Sequence, residues 1–117
     1  MINQSSLFSL KYIARKVLKK DLFRKILDIK DKNEQRLLFE YSIKSAVEMK
    51  YAELKERVEK FDKKKGDPFI PLTKVYLLGS KIHYMNTTFH KKDFKVVMNL
   101  FNEVQKELKR MENVRFR

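Results

Sequence analysis

Apolar residues recur along this chain at intervals of three and four, the period of a helix face, far more often than at the interval of two that a half-buried strand requires. Leu7, Leu10, Ala14, Val17 and Leu18 make the first stripe, with Ser5 or Ser6 placed to cap its start. From Asp21 onward the apolar positions are Leu22, Phe23, Ile26, Leu27 and Ile29, a stripe rotated by more than a quarter turn. Such a change of face predicts a kink near residues 19–21, with Asp21 capping the second piece, or one helix buried on two sides. The polar cluster 30–33 ends this segment. A long helix of about eight turns is predicted from there to residue 63, with Ile43, Val47, Tyr51, Leu54, Val58 and Phe61 on one face. Glu34 beside its start suits the helix dipole. Its surface repeats acid-first pairs four residues apart, Glu40/Lys44, Glu53/Arg57, Glu56/Lys60 and Glu59/Lys63, each worth about 0.3 kcal/mol.

Residues 63–68 break the pattern, with Gly66 placed as a helix terminator and Pro68 after it. This is no domain boundary, because neither side would hold a core of its own. Residues 71–86 carry two competing patterns. As a helix, Pro71 takes the first position, Leu72, Val75, Leu78, Ile82 and Met85 share a face, and Asn86 ends it. As a short β-hairpin across 75–85, Gly79-Ser80 is the turn between two apolar strands. Five matched positions favour the helix, although Gly79 costs it about 1 kcal/mol. The last segment is plain: Phe94, Val97, Phe101, Val104, Leu108 and Met111 alternate steps of three and four, with Thr87 or Thr88 near the start. The fold expected is an all-α bundle of four to five helices, one domain over 1–117, with the 43–61 and 94–111 faces packed together. Both seams are nearly heptad, so the same faces suit a protein partner or a homo-oligomer.

Composition removes several chemistries. The 117 residues include no Cys, which excludes disulfides, thiolate zinc sites and cysteine nucleophiles. Gly66 and Gly79 stand alone, so no glycine-rich phosphate cradle exists. The acids lie in pairs with bases, as on a solvated helix face, and the two histidines, His83 and His90, find neither a nucleophile to activate nor a third ligand beyond Asp93 for a metal. No catalytic, metal or cofactor-binding residue is therefore assigned, and a non-enzymatic role is expected.

Charge supplies the positive signal. The formal net charge is +13, from 28 basic and 15 acidic residues, a field that attracts polyanions. It is unevenly placed. Residues 11–32 hold nine bases against Asp21, Asp28 and Asp31, residues 33–61 are balanced, and 68–92 contain only bases. Lys11, Arg15, Lys16, Lys19, Lys20, Arg24 and Lys25 are the first candidate phosphate contacts. Lys74, Lys81, Lys91 and Lys92 are the second, interleaved with Tyr76, Tyr84 and Phe89, rings on which a base can stack. The expected function is nucleic-acid binding, RNA or DNA, through the phosphate backbone and with low sequence specificity, as a small subunit or regulator of a larger assembly. The competing expectation is a helical protein–protein assembly subunit without nucleic acid.

Leu22-Phe23-Arg24 followed by Lys25-Ile26-Leu27 resembles the motif of the LYR family of small, basic, three-helix mitochondrial assembly factors and complex subunits. The family's Tyr is Phe here, and the motif follows 20 residues instead of opening the first helix. The resemblance implies an organellar partner complex with Leu22, Phe23 and Arg24 as contacts. The acid-free first 20 residues, on an amphipathic frame, also share the composition of a mitochondrial transit peptide, but the segment is expected to be part of the fold. An intracellular, cytoplasmic location is expected, with a mitochondrial one as the alternative. No apolar run reaches the ~20 residues of a membrane span, so no membrane insertion is expected.

Overall fold

The computed structural model describes residues 6–113. It contains five α-helices, α1 (Leu7–Val17), α2 (Lys20–Leu27), α3 (Lys32–Glu59), α4 (Phe69–Thr88) and α5 (Lys91–Glu112), and a short 3-10 turn at Lys63–Lys65. Among the described residues there is no strand. The two-stripe pattern at the N-terminus is a kink: Leu18 and Lys19 are extended, and α2 starts afresh. Ser6 caps α1, accepting from the Phe8 amide at 3.1 Å, while Ser5 lies outside the described residues. Asp21 is not a cap. It sits in the first turn of α2, whose capping position is Lys19. The cap of α3 is Asp31, accepting from the Asn33 and Glu34 amides.

Close backbone approaches join α1 to α3, α3 to α4, α4 to α5 and α5 to α1, a closed ring around one core, with α2 strapped across α1 and α3. The 43–61 and 94–111 faces meet in that one buried core, with α4 and α1 completing its walls. Leu10, Ile13 and Ala14 from α1, Phe39, Ile43 and Val47 from α3, Val75, Leu78 and Met85 from α4, and Val97, Val104 and Leu108 from α5 are buried. Since α1 has 11 residues and α3 has 28, the ring is four-cornered only at one end. Beyond Val17 the fourth corner is open, and a cleft of about 350 Å³ separates α3 from α5, lined by Lys50, Leu54, Arg57, Phe101, Asn102 and Gln105.

The hairpin alternative fails for a reason that sequence conceals. Gly79 lies inside α4, and a Cβ placed on it would stand 2.6 Å from the Tyr51 hydroxyl and 3.0 Å from Cζ. Glycine is there so that α4 can seat its backbone on the Tyr51 ring. The helix starts at Phe69, two residues before Pro71, which suits a first-turn proline because that turn has no intrahelical N–H bonds to lose. It runs to Thr88, two residues past Asn86, and Phe89 closes it in the left-handed region at φ 49°. Burial of the Phe89 ring offsets that uncommon conformation. Thr88 holds the next start, accepting from the His90 amide at 3.3 Å and donating to Asp93. At the other turn Gly66 has φ 150°, ψ 175°, a conformation essentially reserved for glycine.

One buried polar residue breaks the apolar pattern of α3. The Gln35 amide donates to the carbonyls of Ile26 at 3.2 Å and Leu27 at 3.1 Å, adding to the Ile29 amide already on Ile26 and serving Leu27 at the end of α2. Two stability outcomes follow. Gly79→Ala gains about 1 kcal/mol of helix propensity but is expected to lower stability by about 1–3 kcal/mol net through overpacking. In a Tyr51→Ala background the same substitution should become neutral or stabilising, and urea midpoints of the four proteins measure the coupling. Gln35→Leu is expected to cost about 1–3 kcal/mol, with amide exchange rising first at Ile29 and in the last turn of α2.

Candidate nucleic-acid interface

The seven N-terminal cations sit on α1, α2 and the two-residue joint between them. On α1, Leu10, Ile13 and Ala14 face the core, which turns Phe8, Arg15 and Lys16 outward and leaves Lys11 and Tyr12 half-buried on the flank. On α2, Ile26 faces inward and Lys20, Arg24 and Lys25 are exposed. The kink brings the two sets together. The Arg15 guanidinium lies over the Phe23 ring, 5.6 Å from its centroid, and Phe23 rests on Phe39 at 5.7 Å.

The start of α5 completes the cluster. Tyr12 meets Phe94 edge-on at 6.3 Å, and this contact places the Lys91 ammonium 4.4 Å from the Tyr12 centroid, with Lys16 at 5.8 Å from the same ring. Two cations 75 positions apart in the chain therefore share one aromatic face. Lys92 is exposed on the same turn of α5, and Lys44 of α3 lies 5.9 Å from the centroid of Phe89, at the corner that leads into α5.

Ion pairs form at the other end. Lys55–Glu59, Lys60–Glu56, Arg57–Glu112, Arg110–Glu107 and Lys74–Glu103 use the second half of α3, the first half of α4 and the second half of α5. Among the described residues, none of Lys11, Arg15, Lys16, Lys19, Lys20, Arg24, Lys25, Lys81, Lys91 and Lys92 reaches a carboxylate within 4.0 Å. Of the four acid-first pairs expected on α3, Glu56/Lys60 forms as read. Its hydrogen bond and the attendant charge attraction lower the Glu56 pKa and raise that of Lys60. Arg57 turns instead to Glu112 across the cleft, and Glu59 pairs with Lys55, since Lys63 has left the helix.

The second candidate set divides. Lys91 and Lys92 join the α1 cluster, while Lys74 is engaged by Glu103 at 3.7 Å. Tyr76, Lys81 and Tyr84 are exposed on α4, which lies across the ring from α1, so they face away from the N-terminal cations. Two rings that composition did not single out stand in their place. Phe8 and Tyr12 are one turn apart on α1, and Phe8 is 77% exposed beside Lys11 and Arg15. The signal was present in the sequence, since both rings fall off the Leu7–Leu10–Ala14 stripe and at helical spacing from cations. His83 and His90 are exposed, and no group of three or more metal-ligating side chains occurs among the described residues. No helix there is long and apolar enough to cross a membrane.

The shared ring has a spectroscopic consequence. The ε-methylene protons of Lys91 should resonate upfield of their random-coil position through the Tyr12 ring current, and Tyr12→Leu should return them to it. No family model, curated protein or solved structure matches this chain, so the six-residue LYR-like stretch has no wider match behind it and the site is read from its own residues.

Proposed function

We infer that the protein binds nucleic acid through the surface formed by α1, α2 and the start of α5, as a non-enzymatic helical subunit of a larger assembly. The carrying observation is the concentration of cations: those of α1, α2 and the first turn of α5 outnumber the neighbouring Asp21, Asp28 and Asp93 and reach no carboxylate within 4.0 Å among the described residues. A polyphosphate laid there would displace condensed counterions from its own backbone, which gives affinity without reading sequence. Phe8 and Tyr12, flanked by Lys11, Arg15, Lys16 and Lys91, add rings for unpaired bases at about 1–3 kcal/mol per stacked base. Nothing in the cluster has the aligned Arg, Asn and Gln of a base-reading helix, which favours backbone contact over sequence recognition.

A second reading, a helical assembly subunit without nucleic acid, draws on α4, which is apolar on its outward side as well as its buried one. The two readings use different surfaces and separate by experiment.

Fluorescence anisotropy with a labelled single-stranded random 30-mer tests the first. With five phosphates neutralised, the logarithm of the association constant should fall against the logarithm of salt with a slope of about −3.5. Lys16→Glu/Lys19→Glu/Lys20→Glu should weaken binding more than tenfold and flatten the slope by about 2, with an unchanged circular dichroism spectrum. Phe8→Ala should weaken single-strand binding by about five- to a hundredfold while leaving duplex binding nearly intact. A slope unchanged in the triple variant rules this surface out.

A further inference from the structure

We propose that the outward face of α4 is the docking site for an acidic amphipathic helix of a partner protein. This rests on the assembly reading and not on the polyanion surface. A helix that is apolar on all sides is ordinarily covered on all sides. Here one side is covered by α3 and α5, and the other carries Phe69, Ile70, Tyr76, Leu77 and Tyr84, exposed by 67, 56, 58, 48 and 59%. These five form two columns at seven-residue spacing, Phe69–Tyr76 and Ile70–Leu77–Tyr84. Between the columns run the small residues Thr73, Ser80 and Thr87, a shallow furrow the length of the helix. The furrow's outer hydroxyls are occupied internally, since Thr73 donates to the Phe69 carbonyl and Thr87 to that of His83.

Size and charge select the occupant. The five side chains expose roughly 500 Å² of mainly apolar surface, counting about 200 Å² for a whole aromatic, the size of the largest patch on a typical monomer, which is often functional. A standard interface between two copies buries about 800 Å² on each, whereas a single helix laid along α4 needs a stripe of this shape. Every charged side chain from 68 to 92 is a lysine. The acids of α5 bordering the first half of α4, Glu103 and Glu107, are already paired with Lys74 and Arg110, and Lys81 reaches no carboxylate among the described residues. With Lys74 paired, Lys81 is the cation beside the Ile70–Leu77–Tyr84 column, and a second copy would add only like charge there. An acidic helix would complement it.

The test places the photoreactive amino acid benzoylphenylalanine at Tyr76 of the full chain, in the cells that make it, with Asn99 as a control position. The expected product is a cross-link at position 76 alone, mapped by mass spectrometry to a protein segment of net negative charge with apolar residues three and four apart. A synthetic peptide of that segment should then bind the purified chain. Its affinity should fall at least tenfold in Tyr76→Ser/Leu77→Ser and about threefold in Lys81→Glu, all at unchanged melting temperature. If the double serine variant melts lower, Leu77→Gln replaces it with the same expected loss. Cross-linking to lipid, nucleic acid or another copy of the chain, a basic segment, no cross-link, or a peptide indifferent to these variants overturns the proposal. Lys16→Glu/Lys19→Glu/Lys20→Glu should leave peptide affinity unchanged, and Tyr76→Ser/Leu77→Ser should leave 30-mer affinity unchanged, so each reading fails on its own measurement.

Discussion

The seating of α4 on the Tyr51 ring is the contact from which the rest of the arrangement descends. A residue without Cβ at position 79 lets α4 approach without displacing that ring, on the side where Val75, Leu78, Ile82 and Met85 are buried. Once α4 is set, the left-handed turn at Phe89 sends α5 back along it, and α5 presents Phe94 to Tyr12. That last contact is what carries Lys91 into the α1 cluster. A packing detail between two middle helices therefore decides the composition of a charged surface at the molecule's end.

The division of labour between ends follows from helix length. Because α1 stops at Val17, the far half of the bundle is three-cornered, and long polar side chains fill its rim. There the acids of α3 and α5 find cations across the cleft or along the helix, as Arg57 and Glu112 do at 3.4 Å. The near half has acids too, but Asp31 caps α3 and Asp93 accepts from Thr88. Its cations rest on rings instead, with Arg15 over Phe23, Lys16 and Lys91 over Tyr12, and Lys44 over Phe89. A cation held on an aromatic face keeps its remaining donors free for a phosphate, which a cation in an ion pair does not.

Much of this was legible in the sequence, and the exceptions have physical causes. The helices α3 and α5 are read directly from period and face, because each buries one clean stripe. The helix α4 was favoured by its Val75–Leu78–Ile82–Met85 face, and the hairpin alternative arose because a glycine that meets a ring 28 positions away looks like a turn. Gln35 escaped because its partners are backbone carbonyls of another helix. The N-terminal cations were identifiable from their density. Their union with Lys91, and the withdrawal of Lys74 into a pair with Glu103, were not, since both depend on which helices become neighbours.

The separation of paired from unpaired charge makes the two ends respond oppositely to ionic strength. Added salt screens attraction in the exposed pairs of the far end and screens mutual repulsion among the cations of the near end. The order in which the bundle's ends fray should therefore invert: in dilute buffer the crowded N-terminal helices open first, and in concentrated salt the opening moves to the turn at Gly66 and the last turn of α5.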